Sequence, residues 1–195
     1  FVGERIFTES NYNKGKIKPI LTCVRYGNVL ESTGSVIPFF IEKVNCGEKI
    51  PLTDSRMTRF IISPEQAVEL IFKALKYAIG GEVFVPKLPA FRILDLIDVI
   101  KEKCQKDAEI EVIGIRPGEK IHELMINNSE IPRTYAFNDV YVITSLIGNY
   151  ILQSQPEYEK TGRKLVEGEM SEYSSKDAVI PKERLVELFK SLGLL

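Results

Sequence analysis

Short apolar runs rich in β-branched residues alternate along this chain with longer stretches whose apolar residues recur every three to four positions. That alternation constrains the fold more than any other feature, because a period near two belongs to strands and a period near 3.6 to helices. Residues 20–24, 49–54, 82–85, 109–115 and 140–143 read as strands, and 37–45, 64–78, 93–104 and 181–192 as helices. The clearest helix start is Ser63-Pro64-Glu65-Gln66, where Ser63 can cap, Pro64 suits the first helical position and Gln66 completes a capping box. Ala67, Ile71, Ala74, Leu75 and Ala78 then form a stripe predicted to face a core, and Gly80-Gly81 ends the helix. Ile93, Ile97, Ile100 and Cys104 mark the inner face of the next helix, and Leu185, Val186, Phe189 and Leu192 that of the last. After the Pro117-Gly118 break, 119–125 is predicted as a short helix, and the polar stretch 153–175 as irregular. Strand followed by helix, repeated, predicts an α/β fold with some parallel pairing.

The beginning of the chain is unusual. It has no capping residue, yet Phe1, Val2, Ile6 and Phe7 already lie at helical spacing, and the pattern fades in a polar cluster at 11–15. This reads as a helix entered in its middle, and so as a piece of a longer chain.

Several function classes fall away on composition. A chain of 195 residues, 44% hydrophobic and 27% charged, is too apolar for disorder. Its net charge of −1 does not suit a nucleic-acid binder, which carries a basic face. No run approaches the ~20 apolar residues that span a bilayer, since 141–152 is broken by Thr144, Ser145, Gly148 and Asn149. Cys23, Cys46 and Cys104 are odd in number and widely spaced, and His122 is the single histidine. No disulfide framework or metal site is expected, and the thiols are expected reduced and mostly buried in a cytoplasmic protein.

The chain carries no Gly-x-Gly-x-x-Gly turn, P-loop or Gly-x-Ser-x-Gly elbow. Tyr12 and Lys16 have the spacing Tyr-x-x-x-Lys, but in a polar turn that spacing aligns nothing. Three other places could hold a ligand. Arg25 to Asn28 follows a predicted buried strand, and ligands of open α/β sheets sit beyond the carboxyl ends of strands. There Asn28 offers two donors and an acceptor, and Gly27 permits close backbone approach. Arg59 precedes the capped helix, and Arg116 opens Arg116-Pro117-Gly118-Glu119. Guanidinium groups at such boundaries match an anion such as a phosphate, and Glu119 could accept from a ribose diol. For each arginine the alternative is a surface salt bridge, and for Asn28 a plain turn. His122 reads as structural or exposed.

Four blocks are recognisable together: RYGNVLESTGSVIPFF (25–40), IPLTDSRMTRFIISPEQAVELIFKAL (50–75), GGEVFVPKLPAFRILDL (80–96) and IGIRPGEKIHELMI (113–126). In this order they resemble the C-terminal half of extended short-chain dehydrogenases/reductases acting on nucleotide sugars. The resemblance is to the polysaccharide-biosynthesis branch, the inverting UDP-N-acetylglucosamine 4,6-dehydratases. The tail, with FNDVYVI and EYSSKDAVIPKERLVELF, also looks like that branch. The resemblance implies a remnant of a Rossmann-like parallel sheet plus a smaller α/β substrate-binding lobe. Residues 1–126 would be the C-terminal part of the Rossmann-like domain interleaved with that lobe, and 127–195 a C-terminal extension.

The resemblance places the catalytic Tyr-x-x-x-Lys helix and the glycine-rich cofactor turn upstream of Phe1, so this stretch alone is expected to be inactive and contributes no catalytic residue. For the intact protein it implies a lyase using NADP, or NAD. Hydride leaves C4 of the sugar, a base takes the C5 proton, water leaves from C6 and the hydride returns there. A UDP-sugar 4-epimerase and a non-catalytic UDP-binding module are the alternatives. By resemblance, Asn28 lies near the sugar diphosphate and Tyr26 on the nicotinamide side of the cofactor. Val36, Ile37 and Pro38 pack by the uracil, Arg59 and Arg116 bind the diphosphate, and Glu119 binds the ribose. The expected partners are a UDP-sugar and further copies of the chain in a homo-oligomer, with neither nucleic acid nor membrane. The departure is at 31–34, Glu-Ser-Thr-Gly where the family has Gly-Ser-Arg-Gly, which removes a cation and adds a carboxylate.

Overall fold

Ser63 and Pro64 start a helix where the sequence places it, α3 (Pro64–Tyr77), in the computed structural model of the chain. The structure describes residues 2–13, 15, 19–30, 36–147, 155–166 and 168–192. The chain divides into two compact units, each woven from three segments. The first takes Phe1–Tyr26, Glu65–Lys87 and Leu124–Tyr173, the second Gly27–Pro64, Leu88–Glu123 and Ser174–Leu195.

The first unit is built on a five-stranded sheet in the order β1-β5-β10-β9-β11. Here β1 is Cys23–Val24, β5 Val83–Pro86, β9 Thr134–Phe137, β10 Val140–Ile143 and β11 Arg163–Lys164. The β1 and β5 strands run parallel, with Val24 opposite Phe84, and the other pairs are antiparallel. Leu70 and Ala74 of α3 pack with Phe84, Phe137, Val142 and Tyr158. The stripe expected to face the core divides: Ala74 is buried, but Ile71 and Leu75 are 44% and 71% exposed. Helix α3 carries two apolar faces, and the sheet takes the one holding Leu70. Helix α1 (Val2–Asn13) ends inside the predicted polar cluster. There Asn11 donates to Leu21 O at 2.6 Å and accepts from Leu21 N–H at 3.0 Å, tying the helix to the approach to β1.

The Gly80-Gly81 break is required by its surroundings. Both residues have positive φ, +127° and +90°, and a Cβ on Gly80 would come within 2.8 Å of Asn11 Oδ1. The fully buried Glu82 caps this turn, accepting the Ile79 and Gly80 N–H groups, each at 2.8 Å. Tyr158, on α5 (Glu157–Lys160), donates its hydroxyl to Glu82 Oε1 at 2.9 Å. The region expected to be irregular therefore holds a short helix, the strand β11, a second short strand at Tyr173–Ser174, and the buried Tyr158 and Tyr173; 153, 154 and 167 lie outside the described residues.

The second unit holds β2 (Asn28–Val29), β3 (Ile50–Leu52), β4 (Thr58–Ile62), β6 (Ala90–Arg92) and β7 (Ile110–Val112). Parallel β2 and antiparallel β6 flank β4, while β3 pairs in parallel with β7. Helices α2 (Val36–Cys46), α4 (Ile93–Cys104) and α6 (Lys182–Ser191) lie close to the expected positions. Ile37, Phe40 and Val44 share one core with Leu96, Ile97, Ile100, Leu185 and Phe189. The β4 strand is one the periodicity does not announce, because Arg59 and Thr58 interrupt its apolar run. Residues 119–125 are not a helix: the chain bends, then enters β8 (Leu124–Ile126). None of the three free thiols is fully buried, and Cys46 is exposed, so the expectation of mostly buried cysteines does not hold. Cys46 ends α2 on a turn, away from the helix's inward positions Ile37, Phe40 and Val44.

Candidate functional site

Most of the predicted ligand residues fall in the second unit, around β4. In the parallel register Asn28 stands opposite Ile61, and Val29 opposite Ile62. Asn28 is exposed. Gly27 is needed here for a reason internal to the fold: a Cβ would lie 2.6 Å from Phe60 Cβ. The close approach it permits is that of its own backbone to β4.

Arg59 is held by backbone rather than by a full ion pair. Its Nη1 donates to Thr58 O at 2.7 Å and to Ile121 O at 3.1 Å, and its Nε lies 3.8 Å from Glu123 Oε1. Its side chain is only 14% exposed. Glu123 was not singled out by sequence. Its Oε2 accepts the Phe60 N–H at 2.9 Å. Burial pushes the Glu123 carboxyl above the usual glutamate range, against the opposing pull of the Phe60 N–H, Arg59 and Lys120.

Arg116 opens a tight turn and is exposed. Glu119 N–H donates to Arg116 O at 3.0 Å, and Glu119 Oε2 accepts the Arg116 N–H at 3.3 Å. Gly118 supplies the positive φ of +83° that such a turn needs. Glu119 Oε1 accepts from the Thr53 hydroxyl at 3.2 Å. The carboxylate is thus fixed by the turn and by Thr53, without a cation in the bond.

The segment that follows explains why no helix forms. Thr58 N–H donates to Ile121 O at 3.0 Å, Glu123 N–H to Ser175 Oγ at 2.8 Å and Ser175 N–H to Glu123 O at 2.8 Å. Backbone groups that a helix would use locally are engaged by β4 and by Ser175. Thr58 Oγ1 lies 2.7 Å from Ser175 Oγ and 2.8 Å from His122 Nδ1. His122 is half-buried, so the only histidine is spent on positioning. Sequence gave no sign of Ser175, because its partners lie 52 and 117 residues away.

Arg59, Arg116 and Glu119 are therefore brought into one connected piece through Thr53 and Ile121. Val36 and Ile37 begin α2: Ile37 is 7% exposed and belongs to the core, Val36 packs against that core, and Pro38 is exposed. Residues 31–35 lie outside the described residues. Tyr26, 48% exposed, follows β1 in the first unit. Tyr12 sits in the last turn of α1, and Lys16 lies outside the described residues.

Among the described residues no group of three or more His, Cys, Asp or Glu side chains could hold a metal ion, and no helix is long and apolar enough to cross a membrane.

The profile of a family described as polysaccharide biosynthesis protein matches residues 1–145. A protein of Methanocaldococcus jannaschii named as an uncharacterized membrane protein is 37% identical over the whole chain, which covers 56% of it. A Campylobacter jejuni UDP-N-acetylglucosamine 4,6-dehydratase (inverting) is 39% identical over 74% of the chain and 42% of its own length. The crystal structure of Pen from Bacillus thuringiensis superposes with a TM-score of 0.85 at 35% identity, over 98% of this chain and 56% of that one. The chain spans about half the length of the curated relatives it matches.

Proposed function

The chain belongs to the polysaccharide biosynthesis protein family, and from that premise we propose that it is the nucleotide-sugar-binding portion of an inverting UDP-N-acetylglucosamine 4,6-dehydratase serving surface-polysaccharide or glycan synthesis. The observation that carries this reading is the connected piece holding Arg59, Arg116 and Glu119. Arg116 is exposed, and Arg59 is anchored through one nitrogen to two carbonyls, with one carboxylate, Glu123, 3.8 Å from its Nε. Two such groups suit a diphosphate, which guanidinium matches bidentately. Glu119, already oriented by Thr53 and its own turn, accepts the ribose hydroxyls. Asn28 bonds the sugar end of the diphosphate. Exposed Pro38 and half-buried Val36 offer the uracil an apolar edge, with Ile37 anchoring the helix start from the core.

For the nicotinamide cofactor the chain offers a fitting but partial contact. Tyr26 is half-exposed just beyond the parallel strand β1, where a ring can stack, and the chain carries no glycine-rich phosphate turn. When bound, that cofactor supplies the hydride transfer. The residues of this chain hold and orient the nucleotide sugar, an effect that counts because correct positioning lowers the entropic part of the barrier. By itself this stretch binds without turnover.

The test is the product mass. The protein in its longest natural form is incubated with UDP-N-acetylglucosamine and NADP or NAD, and products are read by mass spectrometry. Loss of one water from the sugar is the expected result. An isomer of unchanged mass would replace this reading with a 4-epimerase, and an untouched substrate that still binds would leave a UDP-binding module.

A further inference from the structure

Two carboxylates meet the chain just beyond β3, and only one of them is spent on a cation. Asp54 is held by Arg56, whose Nε and Nη2 donate to it at 3.0 and 2.7 Å and whose backbone N–H adds a third bond at 2.8 Å. These bonds hold the Asp54 carboxyl at about 2, below the usual aspartate range. Glu119 differs. Among the described residues it joins no ion pair, and its two oxygens take one hydrogen bond each from uncharged donors. Oε1 accepts from the Thr53 hydroxyl and Oε2 from the Arg116 backbone N–H.

We infer that Thr53, acting through Glu119, sets a preference for ribonucleotides over 2′-deoxyribonucleotides; this rests on the nucleotide-sugar reading of the same site. An ionised carboxylate has about four lone-pair positions, two on each oxygen. One on each oxygen of Glu119 is taken, and one on each is left, side by side in the carboxylate plane. A vicinal diol fills that pattern, each hydroxyl donating to its own oxygen. The Arg116 N–H alone would hold a single oxygen and leave the plane free to turn about that bond. The Thr53 hydroxyl holds the other oxygen and removes that freedom, so the glutamate has less rotamer entropy to lose when the diol arrives. A nucleotide without the 2′-hydroxyl leaves one oriented acceptor unpaired, which a site built for that hydroxyl penalises.

Thr53 is suited to this because it does not belong to the turn it steadies. It follows Leu52, which is buried at the end of β3 and whose O accepts the Ile113 N–H at 2.9 Å beyond the parallel pairing with β7. Its hydroxyl thus reaches Glu119 from a strand end, 66 residues away in the chain. Closing the turn needs only the bonds between Arg116 and Glu119 themselves. Thr53 is a positioning residue, and its hydroxyl is the part that matters. Valine keeps the shape without the donor, and serine keeps the donor without the methyl group.

Isothermal titration of UDP and of 2′-deoxy-UDP into the protein in its longest natural form, and into Thr53→Val and Thr53→Ser, tests it, with far-UV circular dichroism as the check on folding. The parent is expected to bind UDP about tenfold more tightly than 2′-deoxy-UDP, the effect of one hydrogen bond to a charged group. Thr53→Val narrows that gap to about threefold or less as the carboxylate regains its freedom, and Thr53→Ser keeps it. Equal binding of the two nucleotides by the parent, a gap that survives in Thr53→Val, or one that is lost in Thr53→Ser overturns the inference, while UDP binding itself leaves the nucleotide reading standing. Binding of neither nucleotide overturns both.

Discussion

Arg25 in the first unit and the arginine pair Arg59 and Arg116 in the second show two uses of the same side chain. Arg25 is saturated. It donates to Glu4 through Nε at 2.7 Å and Nη2 at 2.5 Å, to Glu130 through Nη1 at 2.9 Å and Nη2 at 2.7 Å, and also to Met125 O. Glu130 in turn caps the 3₁₀ turn Asn128–Arg133 in a reciprocal box with Asn127. Two carboxylates cancel the Arg25 charge, so nothing remains for a ligand. Arg59 is anchored mainly on carbonyls, and Arg116 projects from a turn whose carboxylate bonds backbone N–H rather than the guanidinium. Those two guanidinium groups are matched by carboxylates less fully than that of Arg25. An arginine's partners, more than its presence, decide whether it can take an anion.

The largest effect expected from breaking this contrast is at Arg25. Arg25→Ala leaves two mostly buried carboxylates facing each other, and loss of one member of a buried ionic group costs about 3–5 kcal/mol. Chemical denaturation should show that drop. Removal of the Tyr158 hydroxyl comes next. Burial first, then the Glu82 charge and hydrogen bond, hold the Tyr158 phenol far above its usual range, so it stays a donor to Glu82. Tyr158→Phe removes that donor and is expected to cost about 1–3 kcal/mol in the same measurement. Ser175→Ala is smaller, about 1 kcal/mol, and should also lower UDP affinity, because Ser175 holds the backbone of Glu123 beside Arg59.

The buried Glu130 and the half-buried Glu123 sharpen the comparison through pH. Burial works to raise the Glu130 carboxyl, but hydrogen bonds from Arg25 and the Asn127 N–H, with the charges of Arg25 and Arg133, bring it below the usual range. A lowered folded-state pKa gives stability that is present above the unfolded value and lost as pH falls through the folded one. Glu123 has the opposite sign: its raised pKa favours the fold at low pH, and that contribution fades as pH rises through the folded value. Stability measured against pH should therefore lose its acid-side decline most in Glu130→Gln. Glu123→Gln should gain relative to the parent toward neutral pH.

Much of this was legible in the chain. Ser63-Pro64 announced α3, Gly80-Gly81 its end, and the periodicity found α2, α4 and α6, because each signal is local. The misread parts depend on distant partners. Helix period in α3 was clear, yet only the sheet's Phe84 and Val142 decide that Leu70 faces inward rather than Ile71. Residues 119–125 carry no pattern that reveals Ser175 as a bonding partner. Strand β4 hides behind Arg59, which interrupts its apolar run and is the residue proposed to bind the diphosphate. Arg25, read with the ligand-side turn, is a structural centre because Glu4 and Glu130 converge on it from elsewhere in the chain.

The central claim is that Arg59, Arg116 and Glu119 form a preset site for a nucleoside diphosphate. Isothermal titration of UDP into the protein in its longest natural form tests it most directly, with Arg116→Ala as the key variant because that side chain is exposed. Saturable binding is expected, weakened about tenfold or more in Arg116→Ala, equivalent to at least about 1.4 kcal/mol, with an unchanged unfolding midpoint. Equal UDP affinity in parent and variant, or no binding by the parent, would contradict it.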